Sequence, residues 1–145
     1  MRGIDQDLFN AVMSNKTDQV KFFLHLGADI EAKDKTGCTV LMEAIWYRCP
    51  EINRCPEIIR LLVKAGADVN TSSNTGHTPL MRAAYLGEIE VTRLLLEAGA
   101  DVHATTTTKR TALSRITTRM NDNVRQREYP HNKIAELLKQ YGAKE

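Results

Sequence analysis

Short antiparallel helix pairs, stacked into an all-α solenoid of helix-turn-helix units with projecting hairpin loops, are expected from this chain on three grounds. First, Gly27-Ala28-Asp29-Ile30, Gly66-Ala67-Asp68-Val69 and Gly99-Ala100-Asp101-Val102 recur, with a worn copy at Gly142-Ala143; the four glycines stand 39, 33 and 43 residues apart. Second, an apolar helical run precedes each copy. Before Gly99, Val91, Leu94 and Leu95 fall at i, i+3 and i+4 and form one stripe, while Glu90, Arg93 and Glu97 face away. Third, a helix pair this short cannot bury its own apolar stripe, so neighbouring pairs must stack.

A common unit of 33 residues leaves an excess of 6 in the second unit and 10 in the fourth. The first excess is a tandem near-copy, Arg48-Cys49-Pro50-Glu51-Ile52-Asn53 followed by Arg54-Cys55-Pro56-Glu57-Ile58-Ile59. The second falls between Asn121 and Pro130, a polar stretch that reads as a loop.

Composition sets the class without deciding the function. At 145 residues, 42% hydrophobic, 26% charged and a net charge of +2, the chain is ordinary for a globular protein, which excludes collagen-like, strongly disordered and membrane classes. No run approaches the roughly 18 apolar residues of a bilayer span, and Met1-Arg2-Gly3-Ile4-Asp5 opens no signal-peptide pattern, so a cytoplasmic protein is expected. Cys38, Cys49 and Cys55 then read as reduced thiols.

The third unit carries the clearest local signals. Thr78 before Pro79 suits an N-cap followed by the helix position that tolerates proline, and Gly87 suits a left-handed helix stop. Gly76, Thr78-Pro79-Leu80, Ala83-Ala84, Gly87 and Gly99-Ala100-Asp101-Val102 together resemble the ankyrin-repeat family, over residues 5 to 143.

The resemblance divides the chain into one domain of four units, about 5–33, 34–72, 73–105 and 106–145. The first unit keeps Leu8, Ala11 and Gly27-Ala28-Asp29; the second keeps Asp34, Gly37, Thr39, Leu41, Ala44 and Gly66-Ala67-Asp68-Val69-Asn70. The family's usual histidine after the leucine is replaced by Phe9, Met42, Met81 and Ser114, so apolar packing is expected in place of its hydrogen bond. The outer units read as caps. Gln6-Asp7 stand for Thr-Pro, with polar Asn10 and Ser14 nearby; Lys139 stands where Leu96 stood, and Thr117 replaces the second alanine. A complete four-unit protein with polar ends is the expectation.

Catalysis needs a constellation of nucleophile, acid/base or metal ligands, and none stands out: there is no phosphate-binding glycine loop, no H-E-x-x-H and no G-x-S-x-G. Cys49 and Cys55 lack a second pair and a nearby histidine, so they read as one cysteine duplicated rather than a zinc site. His25, His77, His103 and His131 are scattered over different units and read as surface or turn residues. No enzyme, no cofactor and no metal are expected.

The resemblance implies protein binding through a concave groove lined by hairpin tips and first helices. Carrying those positions over selects Asn10, Met13 and Ser14 from the first unit, and Lys35, Thr36, Cys38, Glu43, Trp46 and Tyr47 from the second. The third supplies Asn74, Thr75, His77, Arg82, Tyr85 and Leu86; the fourth supplies Arg110, Arg115, Thr118 and Arg119. The expected partner-binding set is Glu43, Trp46, Tyr47, His77, Arg82, Tyr85, Leu86, Arg110, Arg115 and Arg119, in which the aromatics and arginines are the strongest anchors. Trp46 and Tyr47 have a second reading, packing under the duplicated insert.

Charge adds a direction. Between His103 and Lys133, seven basic residues oppose two acidic ones, so that segment is +5 and the remainder −3. A partner protein with an acidic surface is expected, bound by a monomer; an anionic ligand or nucleic acid on the basic C-terminal face is the alternative. Nucleic acid is the weaker form of it, because Tyr129 is the one aromatic in the stretch. Lys109 occupies the place of Gly37 and Gly76, and a lysine accepts positive φ reluctantly, so an irregular third hairpin tip is expected.

Overall fold

The computed structural model describes residues 2–46, 56–122 and 130–144, with the side chains of 119–122 outside the description. Among the described residues eight helices pair in chain order: α1 (Gly3–Met13) with α2 (Thr17–His25), α3 (Val40–Trp46) with α4 (Pro56–Lys64), α5 (Pro79–Leu86) with α6 (Ile89–Glu97), and α7 (Ala112–Asp122) with α8 (Pro130–Gln140). α1, α3, α5 and α7 pack in one inner row, and α4, α6 and α8 follow one another in an outer row. No strand occurs among the described residues beyond an isolated bridge between Lys33 and Thr39.

None of these helices exceeds 11 residues, below the ~12–15 at which an isolated helix is even marginal in water, so packing between pairs must hold them. The repeat spacing decides what packs. Leu8, Leu41, Leu80 and Leu113, one per inner helix, are all essentially fully buried, as are Leu62, Leu95 and Leu138 of the outer row. Each such leucine contributes about 1.5–3 kcal/mol relative to exposure. Phe9, Met42 and Met81 are buried beside them, the expected apolar substitution for the family's histidine. Ser114 instead exchanges hydrogen bonds with Thr111 at the start of α7: Thr111 N donates to Ser114 Oγ at 2.9 Å and Ser114 N to Thr111 Oγ1 at 3.1 Å.

Helix ends follow the expected chemistry in the third pair, where Thr78 Oγ1 accepts from Met81 N at 3.3 Å and Gly87 closes α5 in the left-handed region. All four outer helices end alike, with the alanine after the glycine donating five residues back: Ala28 to Phe23, Ala67 to Leu62, Ala100 to Leu95 and Ala143 to Leu138. The six-residue insert falls outside the described residues. Part of the 121–130 stretch is helical rather than loop, because α7 runs on to Asp122 and Pro130 opens α8, the first-turn position that proline tolerates.

Hairpin tips stack on one another. Asn74 N donates to Thr36 O at 3.0 Å, and one tip further Thr107 N donates to Thr75 O at 3.1 Å. The third tip is as regular as the others, contrary to the expectation from Lys109. Lys109 takes φ +60, Thr106 N donates to Arg110 O at 3.0 Å and Lys109 N to Thr106 O at 2.8 Å, the bonds that Ser73–His77 and Gly76–Ser73 make in the tip before.

The first pair departs from the expectation of a polar end. Phe22 on α2 and Leu26 at its C-terminal cap are 55% and 54% exposed, although Leu61 and Leu94, which occupy the place of Phe22 in later units, pack against the core. Its inter-unit turn is nevertheless satisfied. Asn70 links the next units by accepting from Asp101 N at 2.8 Å and donating to Gly99 O at 3.2 Å. At the first turn an Arg2–Asp5 pair makes the same two bonds: Asp5 Oδ1 accepts from Asp29 N at 2.7 Å, and Arg2 donates to Gly27 O at 3.1 Å.

Candidate functional site

Relative to the buried leucine of each inner helix, one register recurs across units. Glu43, Arg82 and Arg115 lie two residues after Leu41, Leu80 and Leu113; Trp46, Tyr85 and Thr118 lie five after; Cys38, His77 and Arg110 lie three before. Stacking brings the "two after" side chain of one unit onto the other two positions of the unit before it.

Arg82 shows this in full. Its NH2 donates to Cys38 Sγ at 2.9 Å, its NH1 donates to Met42 O at 3.2 Å and meets Glu43 Oε1 at 3.4 Å, and its guanidinium carbon lies 5.4 Å from the Trp46 ring centroid. Arg115 repeats the geometry one unit later: NH1 contacts His77 Nε2, and the guanidinium lies 5.2 Å from the Tyr85 ring centroid. The two arginines thus rivet consecutive units while clamping the aromatic rings that line the inner face.

The expected binding residues therefore divide by what they already hold. Glu43 and Arg82 are mutually paired and largely buried. Trp46 is 48% exposed, with the Arg82 guanidinium over its ring, and the insert under which it could pack falls outside the described residues. Tyr85 and Leu86 are half-buried, Leu86 against the core. Arg110 is exposed and donates to Thr118 Oγ1 at 2.9 Å. Tyr47 and the Arg119 side chain lie outside the described residues, as do Cys49 and Cys55. The backbone acceptor Met42 O was not among the expected groups; no side-chain pattern announces a carbonyl.

Asp34, Cys38 and Glu43 bring ligand atoms within 4.8 Å of one another, a grouping that a metal could exploit. Arg82 already supplies a cation against two of the three. Burial pushes the Asp34 carboxyl up, but the Thr36 hydroxyl, the N–H groups of Cys38 and Thr36 and the Arg82 charge together hold it below its ordinary value. His131 corrects the expectation of a surface histidine: it is buried on α8, with Nε2 2.8 Å from Tyr85 O.

His77 connects the tip to Arg115. Thr75 Oγ1 lies 2.7 Å from its Nδ1 and Arg115 occupies Nε2, an arrangement that requires a neutral ring accepting at Nε2 and donating from Nδ1. Burial first, then the charges of Arg115 and Arg82, holds its pKa below the ordinary 6.5. The unfolded chain therefore takes up this proton at higher pH than the folded one, so the His77 contribution is complete above about pH 6.5 and falls on acidification below it. Urea titrations of wild type and His77→Gln at neutral pH and near pH 5.5 should show the smaller acid loss in the variant; equal losses would remove His77 as the source.

Comparison with known proteins agrees with this geometry. A family model described as ankyrin repeats (3 copies) matches residues 8–106. The chain belongs to the ankyrin-repeat family. It is 36% identical over 73 residues to an ankyrin repeat protein of fowlpox virus (strain NVSL), covering 50% of this chain and 9% of that protein. It is 38% identical over 66 residues to the mitochondrial disaggregase of Homo sapiens, covering 46% and 8%, and 36% identical over 72 residues to protein phosphatase 1 regulatory subunit 27 of Mus musculus, covering 50% and 43%. The matched stretches thus span less than half of each relative. Ankyrin repeats are protein–protein interaction modules, a non-catalytic fold, and among the described residues no helix is long and apolar enough to cross a membrane.

Proposed function

We propose that this ankyrin-repeat chain is a non-catalytic binding module that engages a partner protein through its inner face and hairpin tips, as a cytoplasmic monomer that inhibits, tethers or scaffolds by occupying the partner's surface. The observation that carries the reading is Trp46, 48% exposed yet held by Arg82 at 5.4 Å. A large ring fixed before binding loses little freedom on contact, and such anchors dominate interface energetics. Tyr85 under Arg115 offers a second ring one unit along. The phosphatase regulatory subunit among the relatives supports a regulatory use of such a surface, although its match covers 43% of that protein.

Affinity capture with mass spectrometry, comparing wild type with Trp46→Ala, tests the reading. Proteins retained by wild type should be lost by the variant, whose thermal midpoint falls by no more than a few degrees. Equal capture of the same proteins by both would sink it, and a steeply salt-dependent gel shift by an oligonucleotide would favour the anionic-ligand alternative.

A further inference from the structure

Arg82 and Arg115 occupy the same place one unit apart, yet among the described residues only Arg82 meets a carboxylate. Arg82 finds the Glu43 carboxylate, the Met42 carbonyl and the Cys38 sulfur. Arg115 has His77 as its one side-chain hydrogen-bond partner among the described residues, and its buried Nε has none. The cause is the register: the residue that would play Glu43 for Arg115 is Arg82, another cation.

From this asymmetry we infer that the basic cluster at the junction of the third and fourth units, Arg115 with Arg110, His77 and Tyr85 around it, receives an aspartate or glutamate side chain from an acidic segment of the partner protein. The inference rests on the protein-binding reading above and specifies its chemistry. The incoming carboxylate takes the role that Glu43 plays for Arg82, while exposed Arg110 supplies a second charge at the rim. Burial holds the Arg115 guanidinium below its ordinary pKa; Tyr85 opposes that, and Arg110 and Arg82 add to it. A part-buried cation beside two other cations, with no carboxylate partner among the described residues, is costly alone and favourable once a carboxylate arrives. A carboxylate is favoured over a nucleic-acid phosphate because the equivalent site inside the molecule already holds one, and because the half-buried Tyr85 ring, 5.2 Å from the guanidinium, offers an apolar flank suited to a side chain's methylenes.

A random peptide library panned on the intact chain tests this, with the selected peptide then made synthetically. Selected peptides should share an aspartate or glutamate whose replacement by the amide weakens binding about tenfold, equivalent to ~1.4 kcal/mol. Arg115→Gln should weaken the parent peptide by the same factor and the amide peptide no further, the non-additivity of a direct pair. Replacing the peptide's acid with lysine tests the contact without altering the protein. Selection of peptides without a shared acid, no selection at all, or full affinity after Arg115→Gln would overturn the inference. If Trp46→Ala still abolishes that binding, the inner-face reading survives; if neither substitution matters, both fall. Preferential binding of an oligonucleotide over every acidic peptide would also overturn it.

Discussion

Arg82→Ala should lower the unfolding free energy by about 2–3 kcal/mol, a loss usually associated with core truncation rather than with a polar inner-face residue. The side chains of Arg82 and Glu43 are 15% and 17% exposed, so the substitution strands a carboxylate that water reaches poorly. It also removes the donor to Met42 O and the cation over Trp46. Arg82→Lys should recover only part of the loss, because an ammonium cannot span the sulfur, carbonyl and carboxylate as a planar fork does. Trp46→Ala, removing a half-exposed ring, should cost under about 1 kcal/mol. Urea unfolding of the four proteins gives the comparison. Near-equal stability of wild type and Arg82→Ala would show that the rivet between the second and third units is decorative. The consequence for binding studies is direct: Trp46 separates recognition from folding, and Arg82 does not.

How far the sequence foretold this depends on which interactions are periodic. The leucines at one place per unit and the Thr78-Pro79 and Gly87 signals were legible because each reflects a local rule repeated in register. The clamps were not, since each pairs an arginine of one unit with an aromatic ring of another, a contact that spacing within a single unit does not reveal. Their pairing appears only when the six-residue insert is removed and position two of one unit is set against position five of the unit before. The burial of His131 is legible only from its phase and not from its residue type: with Ile134 and Leu138 it lies at i, i+3 and i+7 on the buried stripe of α8. Exposed Phe22 marks the reverse limit, an apolar residue at the place that Leu61 and Leu94 fill against the core in later units.

Gly76→Ala and Lys109→Gly should move stability in opposite directions although both residues sit at the same left-handed place in successive hairpin tips. At Gly76, φ is +79 and an added Cβ would lie 3.0 Å from both Thr106 Cα and Thr107 N. Thr107 N is the donor that joins this tip to Thr75 O, so the methyl group forces the stack itself apart. A left-handed penalty of about 1–2 kcal/mol plus overpacking of similar size gives an expected loss of about 2–4 kcal/mol. Gly37 is constrained likewise, with Asn74 N 2.8 Å from where its Cβ would stand. Lys109 takes φ +60 but among the described residues no further tip bonds over it, so it carries the conformational penalty without the steric one. Removing that penalty in Lys109→Gly should therefore stabilise by about 1 kcal/mol, less whatever glycine's freedom adds to the unfolded chain. Paired urea titrations decide it. A harmless Gly76→Ala would mean that the tips stack more loosely than the 3.0 Å approach implies, whereas a destabilising Lys109→Gly would mean that the lysine side chain, rather than the turn, supports the last hairpin.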